Sequence, residues 1–180
     1  MSRAARTALA GAALLPLAGC GLVGTSNGEA LSVPDVISVT SPDVSDGVLS
    51  AASTCHGARE SPGLHWSGVP ARAKSIAVVM DDASAPIKPY IYWIVFDIGP
   101  ETTDIPAGTL PRGARRAYNS AGTVNYDAPC PRGASHRYRF TVYALGKPIS
   151  LPNRPTLKSA WMAIAQAAIS RGLLQAVANP

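Results

Sequence analysis

Two apolar runs, Ser75–Met80 (SIAVVM) and Ile91–Ile98 (IYWIVFDI), constrain this chain more than any other feature. Both are rich in β-branched or aromatic residues, and neither alternates with polar positions in the way of a half-exposed strand. A strand apolar on both faces sits inside a sheet, so these two are read as central strands. Arg137–Ala144 alternates instead: His136, Tyr138, Phe140 and Val142 fall on one face, and Arg137, Arg139 and Thr141 on the other. His136 and Tyr138 therefore point inward together, and Arg137 and Arg139 read as a solvated face. Shorter strands are expected at Ile37–Thr40, Val48–Leu49 and Leu64–Trp66. The Pro-rich stretches Pro106–Pro111 and Pro129–Pro131 are turns or edges, because proline cannot donate to a ladder.

One helix is expected, Thr156–Arg171, which places Leu157, Trp161, Ile164 and Ala168 on one stripe. Thr156 is its N-cap, Gly172 its stop, and the Trp161 face should pack on the sheet. At 180 residues the chain suits one domain with a real core. Only 15% of the residues are charged, and 16 Pro with 16 Gly suit a loop-rich, mainly β protein. The formal charge is +5, falling to +3 without Arg3 and Arg6. Nucleic acid is not an expected partner: no Lys/Arg run exceeds Arg115-Arg116, and no basic stretch is interleaved with stacking aromatics.

Residues Ser2 to Arg6 carry two positive charges, and Thr7 to Leu17 then form an apolar run, the layout of a signal peptide. About twenty apolar residues are needed to cross the hydrocarbon core, so this run is too short to span it. It ends in Leu17-Ala18-Gly19-Cys20, which resembles the bacterial lipobox. The reading is a signal peptide at 1–19, an acylated Cys20, a Gly/Ser-containing tether over 20–32, and a domain over 33–180. A plain secretory signal that happens to end near a cysteine is the alternative. Export leaves Cys55 and Cys130 as an even pair of thiols in an oxidising compartment.

Three segments, in order, resemble the phosphatidylethanolamine-binding protein family, in particular its bacterial YbhB/YbcL-type branch. The first holds Thr54-Cys55-His56-Gly57 and Ser61-Pro62-Gly63-Leu64-His65-Trp66. The second runs from Met80-Asp81-Asp82-Ala83-Ser84-Ala85-Pro86 to Tyr92-Trp93-Ile94-Val95-Phe96. The third is Tyr126-Asp127-Ala128-Pro129-Cys130-Pro131-Arg132-Gly133, followed by His136-Arg137-Tyr138. The resemblance covers about Val33 to Leu174 and implies antiparallel sheets, a C-terminal helix and a small anion-binding cavity at one end of the sheet.

Carried over, that cavity is built from Asp82, Tyr92, His136, Tyr138 and the Pro129, Cys130, Pro131 and Gly133 loop. Two positions depart from the family: a second Asp is Ser84 here, and a His is Tyr92. An imidazole, phenols and turn amides can hold a phosphate oxygen, while Asp82 serves by orienting His136. Tyr92 keeps a donor but removes a positive charge, which implies weaker or more pH-tolerant binding of a dianion. The resemblance also places Cys55 and Cys130 beside the cavity, so a disulfide between them is expected.

Other chemistries have less support. Ser120 and Ser135 lie near His136, but neither stands in a Gly-x-Ser-x-Gly elbow, so no enzyme is expected. Cys55, His56, Cys130 and His136 match no zinc spacing, and oxidation would remove both thiols. No metal or cofactor is therefore expected. The expected function is recognition of a phosphate-like or carboxylate group on a lipid headgroup, metabolite or protein, at the outer face of a cell membrane. The alternative is a partner-binding module, of protease- or kinase-inhibitor type, with a vestigial cavity. The sequence leaves a homodimer open.

Overall fold

The computed structural model describes residues 33–85 and 88–180, so the segment 1–32, with the expected signal peptide, tether and Cys20, lies outside the described residues. In chain order the strands are β1 (Ser38–Thr40), β2 (Val44–Ser45), β3 (Val48–Leu49), β4 (Leu64–Ser67), β5 (Ser75–Asp82) and β6 (Tyr90–Ile98). Then follow β7 (Asp104–Ile105), β8 (Arg115–Arg116), β9 (His136–Leu145), helix α1 (Leu157–Ala167) and β10 (Ala168–Ala178). The fold is mainly β, as the composition and strand patterns indicated.

Seven strands form one sheet in the order β2-β3-β10-β9-β5-β6-β8, and β1-β4-β7 form a smaller one. The two runs apolar on both faces become β5 and β6, with β5 held between β9 and β6 and buried at all eight positions. Ile76, Val78 and Met80 face the small sheet, where they share a core with Val39, Leu64, Trp66 and Ile105. Ala77 and Val79 face the other way, into a second core with Ile94, Phe96, Leu145 and the helix residues Ala160 and Ile164. The large sheet is thus covered on both sides, which is why its central strands carry no polar alternation.

The C-terminal region differs from the expected helix Thr156–Arg171. Thr156 does cap α1, accepting from the Ser159 N–H at 3.2 Å, but the helix ends at Ala167 and Ala168 turns to an extended conformation. From there β10 runs antiparallel to β9, from Ala168 opposite Leu145 to Ala178 opposite His136. Ten of its eleven residues gain a ladder partner on β9 in this way, and tertiary pairing overrides the helical pattern that the alanines suggest.

Trp161 is also displaced from its expected role. The buried stripe is Ala160, Ile164 and Ala167 with Leu157 beside it, whereas Trp161 is 41% exposed and meets Tyr143 edge-on at 6.4 Å. The small side chains at 160 and 167 let α1 approach the sheet closely. Gly172 does not stop a helix: it lies inside β10, where a Cβ would fall 2.0 Å from the Ile37 carbonyl oxygen. The segment entering β1 crosses there, with the Val36 and Ile37 N–H groups both donating to the Arg171 carbonyl at 3.1 Å.

Candidate functional site

The ends of β5, β6 and β9 converge, because antiparallel pairing sets Asp82 opposite both Tyr138 and Tyr90. The period-two pattern that turned Tyr138 into the core holds: its ring is fully buried. His136 Nδ1 lies 2.7 Å from Asp82 Oδ2. The other carboxylate oxygen of Asp82 accepts the Ser84 N–H at 2.7 Å, so this buried carboxylate uses both oxygens within the protein. Among the described residues His136 makes no second side-chain hydrogen bond, which leaves Nε2 available. Ser84, where the family pattern has a second Asp, accepts the Arg137 N–H at 2.9 Å, and the Ala83 N–H donates to the Arg137 carbonyl at 2.8 Å. The turn after β5 is thereby stitched to the first residues of β9, and a cleft of about 230 Å³ opens beside it, lined by Ser84, Ser135, His136 and Arg137.

Behind this cleft three tyrosines pack together. Tyr92 stands edge-on to Tyr138 at 5.4 Å and packs against Tyr90 at 4.7 Å. Burial first, and then the Asp82 charge, push the Tyr92 phenol above its ordinary value; burial likewise pushes Tyr138 up. Burial and a 3.0 Å hydrogen bond to Asp127 raise Tyr90 to about 12. These phenols therefore stay protonated, as neutral donors, throughout the physiological range.

The Pro129–Gly133 loop is anchored at its entrance. The Asp127 N–H donates to the Tyr92 carbonyl at 3.1 Å, and the Tyr126 hydroxyl reaches the Ser53 carbonyl at 2.8 Å. The Cys55 N–H donates to the Pro129 carbonyl at 2.9 Å, and Cys55 is disulfide-bonded to Cys130 with a Cα separation of 5.2 Å. Pro129 and Pro131 are buried, whereas Cys130 and Gly133 are exposed. Gly133 adopts φ 77°, a left-handed conformation natural to glycine. Asp82, His136, Tyr138 and Tyr92 thus form a chain of contacts: Asp82 bonds His136, whose ring stacks near Tyr138 at 6.4 Å, and Tyr138 meets Tyr92. Among the described residues, by contrast, no hydrogen bond joins the Pro129–Gly133 loop to Asp82, His136 or Tyr138.

Some contributors were not singled out by sequence reasoning. Asn119, 4% exposed, donates from its side-chain amide to the Tyr92 and Asn125 carbonyls at 3.1 and 2.9 Å, and accepts the Thr123 N–H at 3.0 Å. Tyr90, Tyr126 and Asp127 tie the loop entrance to its surroundings; Tyr126 and Asp127 stood in the third motif, whereas Tyr90 carried no sequence signal. Arg139 is not simply solvated: its guanidinium pairs with the buried carboxylate of Asp81 on the opposite face of the sheet from the site. One group of metal-ligating side chains occurs among the described residues, Cys55, His56 and Cys130, and His136 is not part of it.

The profile of the family described as phosphatidylethanolamine-binding protein matches residues 40–179. The chain is 43% identical over 110 residues to a UPF0098 protein of Methanothermobacter thermautotrophicus, a stretch covering 58% of this chain and 73% of that one. It is 38% identical over 141 residues to the candidate lipoprotein LppC of Mycobacterium tuberculosis, covering 77% and 70% of the two chains. Among solved structures it is similar to YbcL of Escherichia coli, with a TM-score of 0.74 at 27% identity over 81% of this chain and 99% of that one. It is similar also to CT736 of Chlamydia trachomatis, with a TM-score of 0.72 at 30% identity over 79% and 97%. With a family match across most of its length, this chain belongs to the phosphatidylethanolamine-binding protein family.

Proposed function

We propose that this chain is a membrane-anchored, extracytoplasmic binding protein that takes a phosphate-like or other anionic group at the cluster of Asp82, Tyr92, His136 and Tyr138. The observation that carries this reading is the orientation of Asp82. A buried carboxylate facing a cavity would repel an anion, but here both oxygens are engaged, by the Ser84 N–H and by His136 Nδ1 at 2.7 Å each. His136 is thereby held with Nε2 as its outward nitrogen, and a protonated ring can donate from it. The half-buried phenol of Tyr92 supplies a neutral donor beside it, with the buried Tyr138 packed behind. The Pro129–Gly133 loop would add backbone N–H groups, such as those of Cys130 and Gly133. An oriented imidazole flanked by neutral donors suits reversible binding of an anion. Anchoring through an acylated Cys20, with 1–19 removed and 20–32 as tether to the 33–180 domain, is supported by the lipobox-like Leu17-Ala18-Gly19-Cys20 and by the similarity to LppC.

Calorimetric titration with inorganic phosphate or phosphoethanolamine tests the site. His136→Ala should remove a charge-assisted hydrogen bond worth about 1.5–3 kcal/mol, a loss of affinity of roughly tenfold to a hundredfold. Unchanged affinity in a folded His136→Ala variant would overturn the assignment and leave the partner-binding module as the better reading.

A further inference from the structure

The side chains of Cys55, His56 and Cys130 each offer a ligand atom, and those atoms all lie within 4.8 Å of one another. We propose that, once the Cys55–Cys130 bridge is reduced, these three residues form a binding site for a thiophilic cation of the Zn²⁺ class, closed again by oxidation. This reading concerns the thiols and His56, and it stands or falls independently of anion binding at His136.

Two thiolates and an imidazole are a donor set that zinc accepts, with a fourth position left for water or an anion. At Zn–S and Zn–N lengths of about 2.3 and 2.0 Å, tetrahedral geometry sets the ligand atoms roughly 3.5 to 3.8 Å apart. The observed cluster therefore reaches that arrangement by opening the sulfur–sulfur contact and turning side chains, with no large movement of the backbone. That backbone is already held. The Cys55 N–H donates to the Pro129 carbonyl at 2.9 Å, a bond that does not involve sulfur. His56 sits in a tight turn, its N–H bonded to Thr54 Oγ1 at 3.2 Å. Gly57 closes that turn against Ala51, whose carbonyl oxygen would be 2.3 Å from any added Cβ. Cys130 stands between two buried prolines. It is itself exposed, as is His56, while Cys55 is half-buried, so both a reductant and an ion have access.

The chemistry balances with a dithiol as the reductant. One dithiol gives two electrons and two protons, becoming a disulfide, and the S–S bond of Cys55–Cys130 breaks to two thiols. Zn²⁺ then replaces both thiol protons, so binding releases two protons and strengthens as pH rises. Reoxidation removes both thiolates from the donor set.

The experiment uses the full chain in a Cys20→Ser background, which removes the third thiol, reduced with a phosphine and desalted without oxygen. Titration with Zn²⁺ against a chromophoric chelator should show one equivalent bound to the reduced protein and none to the oxidised protein. Co²⁺ in its place should give a thiolate-to-metal charge-transfer band. His56→Ala should weaken zinc binding at least about tenfold, since even partners one shell beyond the ligands matter that much. His65→Ala, at an exposed position on β4, should leave it unchanged. Zn²⁺ in excess should also raise the Tm of the reduced protein and not of the oxidised one, a readout independent of any variant's folding. Equal zinc binding by oxidised and reduced protein, no binding by the reduced protein, or binding indifferent to His56→Ala would overturn the proposal.

Discussion

Replacing both bridged cysteines by serine tests how the Pro129–Gly133 loop is held. The bridge spans a sequence separation of 75 residues. Closing a loop of that length removes enough chain entropy from the unfolded state to contribute about 4.5 kcal/mol at 25 °C as an upper figure. The folded state should change little: the Cys55 backbone bond to Pro129 at 2.9 Å and the Tyr126 bond to Ser53 at 2.8 Å do not involve sulfur. Each contributes about 1 kcal/mol net, and they keep the loop in place once the chain is folded. The expected loss for Cys55→Ser with Cys130→Ser is therefore about 2–4 kcal/mol. Urea unfolding followed by the fluorescence of the buried Trp66 and Trp93 measures it. With a slope of about 2 kcal/mol per molar, the midpoint should fall by roughly 1–2 M. Because the bridge acts mainly on the unfolded chain, refolding should slow more than unfolding accelerates. A loss below about 1 kcal/mol, or a change confined to the unfolding rate, would refute loop closure as the source of the stabilisation.

Gly172→Ala should destabilise the fold by about 3 kcal/mol, the upper end of overpacking costs, because the added carbon meets the Ile37 backbone and not a movable side chain; a melting curve unchanged from wild type would refute the close approach. Stability should fall above pH 10, since Tyr90, raised to about 12, and the buried Tyr92 and Tyr138 keep their protons where unfolded tyrosines lose them. That limb is read by denaturant midpoints across alkaline pH together with phenolate absorbance, and a flat profile from pH 10 to 12 would contradict it. Cys20→Ser should abolish acylation and move the protein from the membrane to the soluble fraction; detergent partitioning unchanged from wild type would refute anchoring at that residue.

Sequence alone settled whatever depends on neighbours in the chain. Unbroken apolar runs placed β5 and β6 inside a sheet, because a strand without polar alternation has no face to give to water. The period of two set His136 and Tyr138 on one side of β9, and Thr156 announced the start of α1 through its side-chain oxygen. Motif order pointed to Asp82, Tyr92 and the Pro129–Gly133 loop, but not to how they are held. Tertiary structure decided that. The partners of Asp82 and Cys55 lie 54 and 75 residues away, and only the β5–β9 register and the packing of the loop on the 53–55 turn bring them within bonding distance. The same holds for residues 168–178, whose alanines suit a helix in isolation. Beside an unpaired edge of β9 they become a strand, because the ladder and the burial it allows outweigh a difference in local propensity of a few tenths of a kcal/mol per residue. Trp161 faces outward for a related reason: which helical stripe is buried depends on how closely Ala160 and Ala167 let α1 approach the sheet, a property of two surfaces in contact and not of either alone.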